Sequence, residues 1–254
     1  MGRKYRLTEE GHRRQVTQRK ERFKWLKHPL LQLVTFLIAL GAATYGVLTW
    51  MEPNRFPVTT VQVVGEITHI DKKEIYQIVM PEIEHGFFGV SVNRLQAKMV
   101  DLPWIKSTSV RRVWPGKLVI VVTEEIPLAY WNSDSLLNQS GQIFSPPKSS
   151  FPSGLPKLMG PEGKEIQVLE QFLKMSKTLS PLALTIAKVE LAPRGAWYLS
   201  LSNGIDVILG TDEITERLNR FVSSYNKILS QSQMPVRYVD MRYTNSIAVG
   251  WKTG

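Results

Sequence analysis

The chain has 254 residues, no cysteine and a formal net charge of +10. Lack of cysteine excludes structural disulfides and thiolate-ligated zinc, and leaves the redox compartment open. The charge alone would suit a nucleic-acid binder, but residues 1–28 carry ten Lys/Arg against Glu9, Glu10 and Glu21, so the rest of the chain is nearly balanced. The basic character belongs to a tail, which argues against nucleic acid as the partner.

Residues 29–51, P-L-L-Q-L-V-T-F-L-I-A-L-G-A-A-T-Y-G-V-L-T-W-M, contain no charge. Roughly 20 apolar residues cross the hydrocarbon core of a bilayer, so this run is read as a transmembrane helix. Hydroxyls of Thr35, Thr44 and Thr49 can bond back to helix carbonyls. Trp25, Tyr45 and Trp50 suit the interfacial belts, and Pro29 suits a first helical turn. A cleaved signal peptide is the competing reading. It has a weak small-residue site at Ala39-Leu40-Gly41, but the apolar run continues beyond it and the basic segment is long for a signal. The charge asymmetry places the N-terminus in the cytoplasm and everything after Glu52 beyond the membrane. The tail then acts as a topology signal and can contact anionic lipid; a cytoplasmic protein or nucleic acid as its partner stays open. Residues 52–57, with Pro53 and Pro57, read as an extended spacer.

Past the spacer, V-T-T-V-Q-V-V-G (58–65) has the β-branched alternation of a strand. Asp71 has capping-box spacing to Glu74, and Pro81 is expected to stop the helix that follows. Ser91 or Asn93 caps a second helix, stopped by Pro103. Then come the strand W-I-K-S-T-S-V-R-R-V-W, a turn at Pro115-Gly116, and the strand K-L-V-I-V-V-T-E-E. The order is β-α-α-β-β.

Residues 129–144 read as two strands with turns at Asn132-Ser133-Asp134 and Ser140-Gly141, and 145–158 as a Pro/Ser loop. A helix is expected over 165–180, with Ile166, Leu169, Phe172, Leu173 and Met175 at helical spacing. Strands 187–191 and 197–202 follow. Asn203-Gly204 turns into a further strand, I-D-V-I-L-G. A helix over 212–230 presents Leu218, Phe221, Val222, Tyr225 and Leu229 on one face. Strands 236–243 and 247–251, joined by Thr244-Asn245-Ser246, complete the pattern.

Signs of catalysis are weak. Ser145-Pro146-Pro147-Lys148, Ser133-Asp134-Ser135 and Lys252-Thr253-Gly254 imitate the three motifs of penicillin-binding acyl-transferases. The first lies in a proline-broken loop, the second precedes it in the wrong order, and the third follows the last strand. His12, His28, His69 and His85 lack ligand spacing, so no metal is expected. There is no phosphate-cradling glycine loop, and so no sign of a cofactor or small-molecule substrate. Glu124-Glu125 are adjacent strand residues pointing to opposite faces and read as a strand end.

The last strand suggests binding instead. Ile247-Ala248-Val249-Gly250-Trp251 has no charge before Lys252. As an edge strand it would offer unpaired N–H and C=O groups. Gly250 would let another backbone approach, and Trp251 would anchor it. That composition suits β-augmentation, in which a partner adds a strand. The competing reading has Val249 and Trp251 simply packing inward.

Two stretches, F-P-V-T-T-V-Q-V-V-G and D-L-P-W-I-K-S-T-S-V-R-R-V-W-P-G-K-L-V-I-V-V-T-E-E-I-P-L-A-Y-W, carry a family pattern. It stands here as Pro103-Trp104, Trp114-Pro115, Glu124 to Pro127 and Ala129. Leu155-Pro156-Lys157-Leu158-Met159-Gly160-Pro161-Glu162-Gly163 adds a further match. With these, the chain resembles the FtsQ/DivIB family of bacterial cell-division proteins, over essentially all of residues 29–251. The resemblance implies an α+β fold in five parts: a cytoplasmic basic tail (1–28), a transmembrane helix (29–51), a linker (52–57), a periplasmic POTRA domain (58–125) and a C-terminal β domain with two helices (126–254). It implies a non-enzymatic inner-membrane scaffold, enriched at the division septum, that links early and late division proteins.

The family's terminal motif appears as Asp240-Met241-Arg242-Tyr243 and Ala248-Val249-Gly250-Trp251, with Met in place of Leu. The resemblance assigns Arg242, Tyr243, Ile247, Val249, Gly250 and Trp251 to binding the periplasmic segments of FtsB and FtsL. Arg194 is a looser match for a basic residue that pairs with an acidic one of FtsB. The POTRA domain would serve recruitment by FtsK, with no residue singled out. The remaining alternative is a POTRA-bearing component of secretion or outer-membrane assembly.

Overall fold

The computed structural model describes residues 29–50, 55–225, 227, 234–244 and 246–252. The basic tail, residues 51–54, Leu229 and the last two residues of Lys252-Thr253-Gly254 lie outside the described residues. Helix α1, Pro29–Trp50, is the uncharged run expected to cross a membrane, and it is long and apolar enough to do so. The Thr35, Thr44 and Thr49 hydroxyls donate to the carbonyls of Leu31, Leu40 and Tyr45 at 3.0, 2.8 and 3.0 Å. The helix thus satisfies these polar groups internally, as an apolar solvent demands.

Residues 56–254 form a separate compact unit built on two sheets. The first comprises β1 (Thr60–Val64), α2 (Lys72–Ile83), α3 (Gly86–Gly89), α4 (Val92–Val100), β2 (Ile105–Val113) and β3 (Lys117–Glu124). Its strand order is β1-β3-β2, with β1 parallel and β2 antiparallel to β3. The helical excursion carries the chain across the sheet, and the Pro115-Gly116 turn brings β3 back between the two edges. Ile75 and Val79 of α2 and Leu95 and Met99 of α4 pack on Val110, Leu118, Ile120 and Val122. Alternation along the strands selects those residues for the covered face.

Asp71 caps α2 through the Lys73 N–H (2.9 Å), and Ser91 rather than Asn93 caps α4 through Arg94 N–H (3.4 Å). Pro81 does not stop α2, which continues to Ile83. The proline removes one ladder donor, but the next residue anchors the turn. Glu82 is buried and accepts from Lys98 Nζ of α4 at 2.9 Å. That hydrogen bond holds its carboxyl below the usual range although burial pushes the other way. The short helix α3 has no periodic sequence signal, and it was not expected.

The second sheet comprises β4 (Pro127–Trp131), β5 (Ser135–Asn138), β6 (Ile143–Phe144), β7 (Lys157–Met159), α5 (Glu165–Leu179), β8 (Ile186–Leu191), β9 (Trp197–Leu201), β10 (Asp206–Gly210), α6 (Ile214–Ser224), β11 (Val236–Asp240) and β12 (Ala248–Trp251). Its nine strands run β12-β11-β10-β9-β8-β7-β4-β5-β6. Residues 127–144 hold three strands, not two, and β7 lies where only a loop was expected. At two and three residues, β6 and β7 are too short for alternation to reveal them.

Both α5 and α6 pack on the core of this sheet. In α5 the buried residues are Val168, Leu169, Met175 and Leu179, whereas Ile166 and Leu173 are exposed. The apolar spacing therefore misassigned two outward positions. In α6, Leu218 and Phe221 are buried, and Val222 and Tyr225 pack beside them. This helix opens at Ile214, after Glu213 in a left-handed conformation (φ 50°).

The two sheets share a junction. Leu136 of β5 is fully buried in the core of the first sheet, beside Trp104 and Ile105. The Trp104 indole stacks on His69 (4.1 Å), meets Phe144 edge-on (5.3 Å) and donates to Ser150 Oγ at 2.9 Å.

Next to it, Glu124 Oε1 accepts from the backbone N–H groups of Thr68, His69 and Ile70 at 3.0, 3.0 and 3.1 Å. Burial pushes this carboxyl up, but the three backbone donors outweigh it and hold the group below its usual value. Glu124 is thus an anion in a backbone nest, a stronger role than a strand end. Its contribution is complete above about pH 4.3 and is lost as pH falls through its lower folded-state value. Glu124→Gln, followed by urea unfolding at pH 7, is expected to cost about 1–3 kcal/mol, with a smaller loss of stability on acidification than in the parent.

Candidate partner-binding edge

Among the described residues, strand β12 pairs antiparallel with β11 on one side only, with Val239 opposite Val249 and Asp240 opposite Ala248. Its other side is the sheet edge. Ile247, Val249 and Trp251 are half-buried and rest against the helix-covered core, while Ala248 is exposed. The inward reading of Val249 and Trp251 is therefore partly right: they pack on the core yet keep accessible surface beside an open backbone edge.

Gly250 has a different role from the one expected. It lies across from Tyr238, and a Cβ on it would sit 2.1 Å from Tyr238 Cε1. On the sheet face above it, the neighbouring strand's own ring covers the glycine.

Strand β11 stops at Asp240, three residues earlier than alternation suggested. The Asp240 carboxylate is buried, and Arg242 grips it at 2.9 Å (Nε to Oδ1) and 2.7 Å (Nη2 to Oδ2). The Arg242 backbone N–H also donates to Oδ1 at 3.1 Å. This local side-chain-to-backbone bond competes with the ladder and ends the strand. The Arg242 hydrogen bonds hold the Asp240 carboxyl below its usual value, against the upward push of burial. Arg242 is therefore committed to its own chain through one end, while its side chain stays largely exposed.

Tyr243 is 52% exposed just past β11. Its backbone is fixed by a residue that the sequence did not single out. Arg220 of α6 donates to the carbonyls of Met241 (3.1 Å) and Tyr243 (2.9 Å), and also to that of Thr244. One turn earlier, Arg217 Nη1 donates to Leu209 O at 2.6 Å. The signal for the pair was two arginines three apart on an otherwise apolar helix face, but no sequence rule says which carbonyls they reach.

Arg194 is exposed in the β8–β9 turn. A Cβ on Gly195 would lie 4.0 Å from Thr211, just past the end of β10, and one on Gly210 would meet Arg242 Cγ at 3.1 Å. The Arg194 turn, the end of β10 and Arg242 therefore line one end of the sheet, and Tyr243 follows directly. Ile247 lies near this end, whereas β12 runs away from it and places Trp251 opposite Val236, at the other end of the sheet.

The acyl-transferase pattern does not converge. Ser145 Oγ lies 2.8 Å from Ser135 Oγ, but the Lys148 ammonium pairs with Asp134 at the surface rather than with the serine. Lys252 follows β12, at the opposite edge of the nine-stranded sheet, on the order of 35–40 Å away at ~4.8 Å per strand. No group of three or more His, Asp or Glu that could hold a metal occurs among the described residues.

The fold is a three-stranded α/β unit fused to a long mixed sheet with an open terminal edge, on a chain bearing a candidate membrane helix. Residues 56–125 match the FtsQ-type POTRA domain, and residues 129–242 match the C-terminal domain of the cell division proteins FtsQ/DivIB. The chain is 36% identical over 223 residues to cell division protein FtsQ of Coxiella burnetii, covering 88% of this chain and 92% of that protein. It is 35% identical over 229 residues to the Escherichia coli FtsQ, covering 87% and 83%. The Xanthomonas campestris FtsQ is 31% identical over 223 residues, covering 86% and 80%. The chain belongs to the FtsQ/DivIB family of cell-division proteins. The C-terminal domain match ends at Arg242, so Tyr243 and all of β12 lie past it.

Gly250→Ala is expected to destabilise the second sheet, and adding Tyr238→Ala to restore most of the loss. Denaturant unfolding of both singles and the double should give a coupling well above the ~0.5 kcal/mol seen for independent sites.

Proposed function

We propose that this chain is a single-pass inner-membrane scaffold of the division machinery, with a cytoplasmic N-terminus and its bulk in the periplasm. Its domains divide as a tail (1–28), anchor (29–51), linker (52–57), POTRA domain (58–125) and β domain (126–254). It captures the periplasmic segments of FtsB and FtsL by strand addition at β12, and so links early and late division proteins at the septum. It catalyses nothing itself. The carrying observation is the unpaired outer side of β12 at the end of a nine-stranded sheet.

The physical logic is β-augmentation. Main-chain hydrogen bonds supply register, and flanking side chains supply selectivity. Tyr243 and Trp251 are the aromatic anchors, with Ile247 and Val249 beside them. Arg242 and Arg194 supply positive charge at the adjoining sheet end for an acidic group on the partner. Gly250 keeps Tyr238 flat against the sheet. Arg220 positions Tyr243. The POTRA domain serves recruitment through FtsK.

The test is a binding titration between the full chain in detergent and the periplasmic parts of the cognate FtsB–FtsL pair, with circular dichroism as the control for folding. Truncation after Thr244 is expected to abolish binding while both sheets persist. Tyr243→Ala and Trp251→Ala each should weaken binding at least tenfold, as truncated interface anchors commonly do. Arg220→Ala should weaken it less. Equal binding by the truncated chain would move the docking surface to another strand, and unfolding of both aromatic variants would make these residues core.

A further inference from the structure

The first sheet carries a second exposed feature that strand addition at β12 leaves unexplained. Trp104, Trp131 and Trp197 are buried and Trp251 is half-buried, whereas Trp114 is 60% exposed. It stands at the β2–β3 turn against Phe88 of α3, which is itself 45% exposed. Four rings form one cluster: Phe56 to Phe88 (5.3 Å), Phe56 to Trp114 (5.7 Å), Phe87 to Trp114 (5.6 Å) and Phe88 to Trp114 (6.1 Å).

The cluster is rigid. Phe87 N–H donates to Phe56 O at 2.7 Å, and Arg112 Nη1 donates to Phe88 O at 3.1 Å. Buried Phe87 supports the rings from beneath. Large aromatic groups are thus held outward by hydrogen bonds and packing, so burying them elsewhere would cost little side-chain entropy. Arg112 and Lys117 lie beside the patch in sequence, as does the exposed Glu84.

The chain length supplies the occupant. Phe56 is only six residues past Trp50, where α1 ends. Six residues span at most ~20 Å, less than the full thickness of a bilayer with its headgroups. Phe56 is itself a member of the cluster, so a short tether confines the patch to the neighbourhood of any membrane that α1 crosses. Trp and Phe are residues that settle at a lipid interface.

We propose that the Phe56–Phe88–Trp114 patch docks on the lipid surface of the membrane in which α1 is anchored, with Phe88 and Trp114 inserted among the headgroups. This rests on the reading of α1 as an uncleaved anchor. The patch would then work as a second foot, holding the POTRA domain against the bilayer.

The chain has no cysteine, so single cysteines can carry nitroxide labels without removing native thiols. Full chains bearing Phe88→Cys, Leu40→Cys or Ile166→Cys would be reconstituted in phosphatidylethanolamine–phosphatidylglycerol vesicles. Collision with oxygen and with a water-soluble nickel complex then reports depth. Leu40 should read as deep, Phe88 as interfacial and Ile166 as aqueous, and adding Trp114→Ala should shift the Phe88 label toward the aqueous reading. A deep Leu40 with an aqueous Phe88 overturns the docking proposal alone and leaves the anchor intact. A patch covered by a protein partner instead would give that same aqueous result in vesicles holding this chain only. An aqueous Leu40 overturns the anchor reading and the proposal together.

Discussion

The Trp104 indole makes one body of two sheets. Its ring lies between His69 of the first sheet's loop and Phe144 of the second sheet's outermost strand, and its N–H is satisfied by Ser150. Leu136, a β5 residue, completes the core beneath. A buried aromatic with its polar atom paired is among the larger single contributions a small interface can have. Because Glu124 closes the same corner by collecting three backbone donors, the junction combines apolar packing with a satisfied charge. These contacts join the POTRA unit and the long sheet within one compact unit.

The β12 edge of the long sheet is organised by side chains that act on backbone. Arg220 holds the connection leading into β12, Asp240 and Arg242 end β11, and the Tyr238 ring takes the space above Gly250. None of these contacts pairs the outer side of β12. Among the described residues no strand pairs with that side, and a preformed edge would spare an added strand the entropy of ordering it.

Much of this was legible in the chain. The uncharged run, the β-α-α-β-β order and the β-branched strands obey local periodicities, and local periodicity survives folding. What escaped was set by tertiary context. Pro81 was tolerated inside α2 because Glu82 could be anchored to Lys98. Strands β6 and β7 are too short to alternate, and they exist because neighbours offered them a ladder. The outward turn of Ile166 and Leu173 depends on where α5 meets the sheet. At the candidate edge, residues could be named from a family motif, but their contacts within the chain could not. Gly250 serves Tyr238 rather than a visitor, Arg242 is half engaged by Asp240, and Arg220 has no local pattern linking it to three carbonyls some twenty residues away.

The strand order also bears on how far an assembly added at β12 could grow. An open sheet has two ends, and a chain with two adhesive ends can polymerise edge to edge. Here the ends are unequal: β12 offers four residues and β6 only two. A two-residue edge cannot hold a strand in register, so a strand added at β12 finds no matching surface on the far side to continue the pattern. If β12 takes up a strand as proposed, the short β6 edge gives no matching surface for a second one, and growth by this route would stop at a single partner for each copy of the chain.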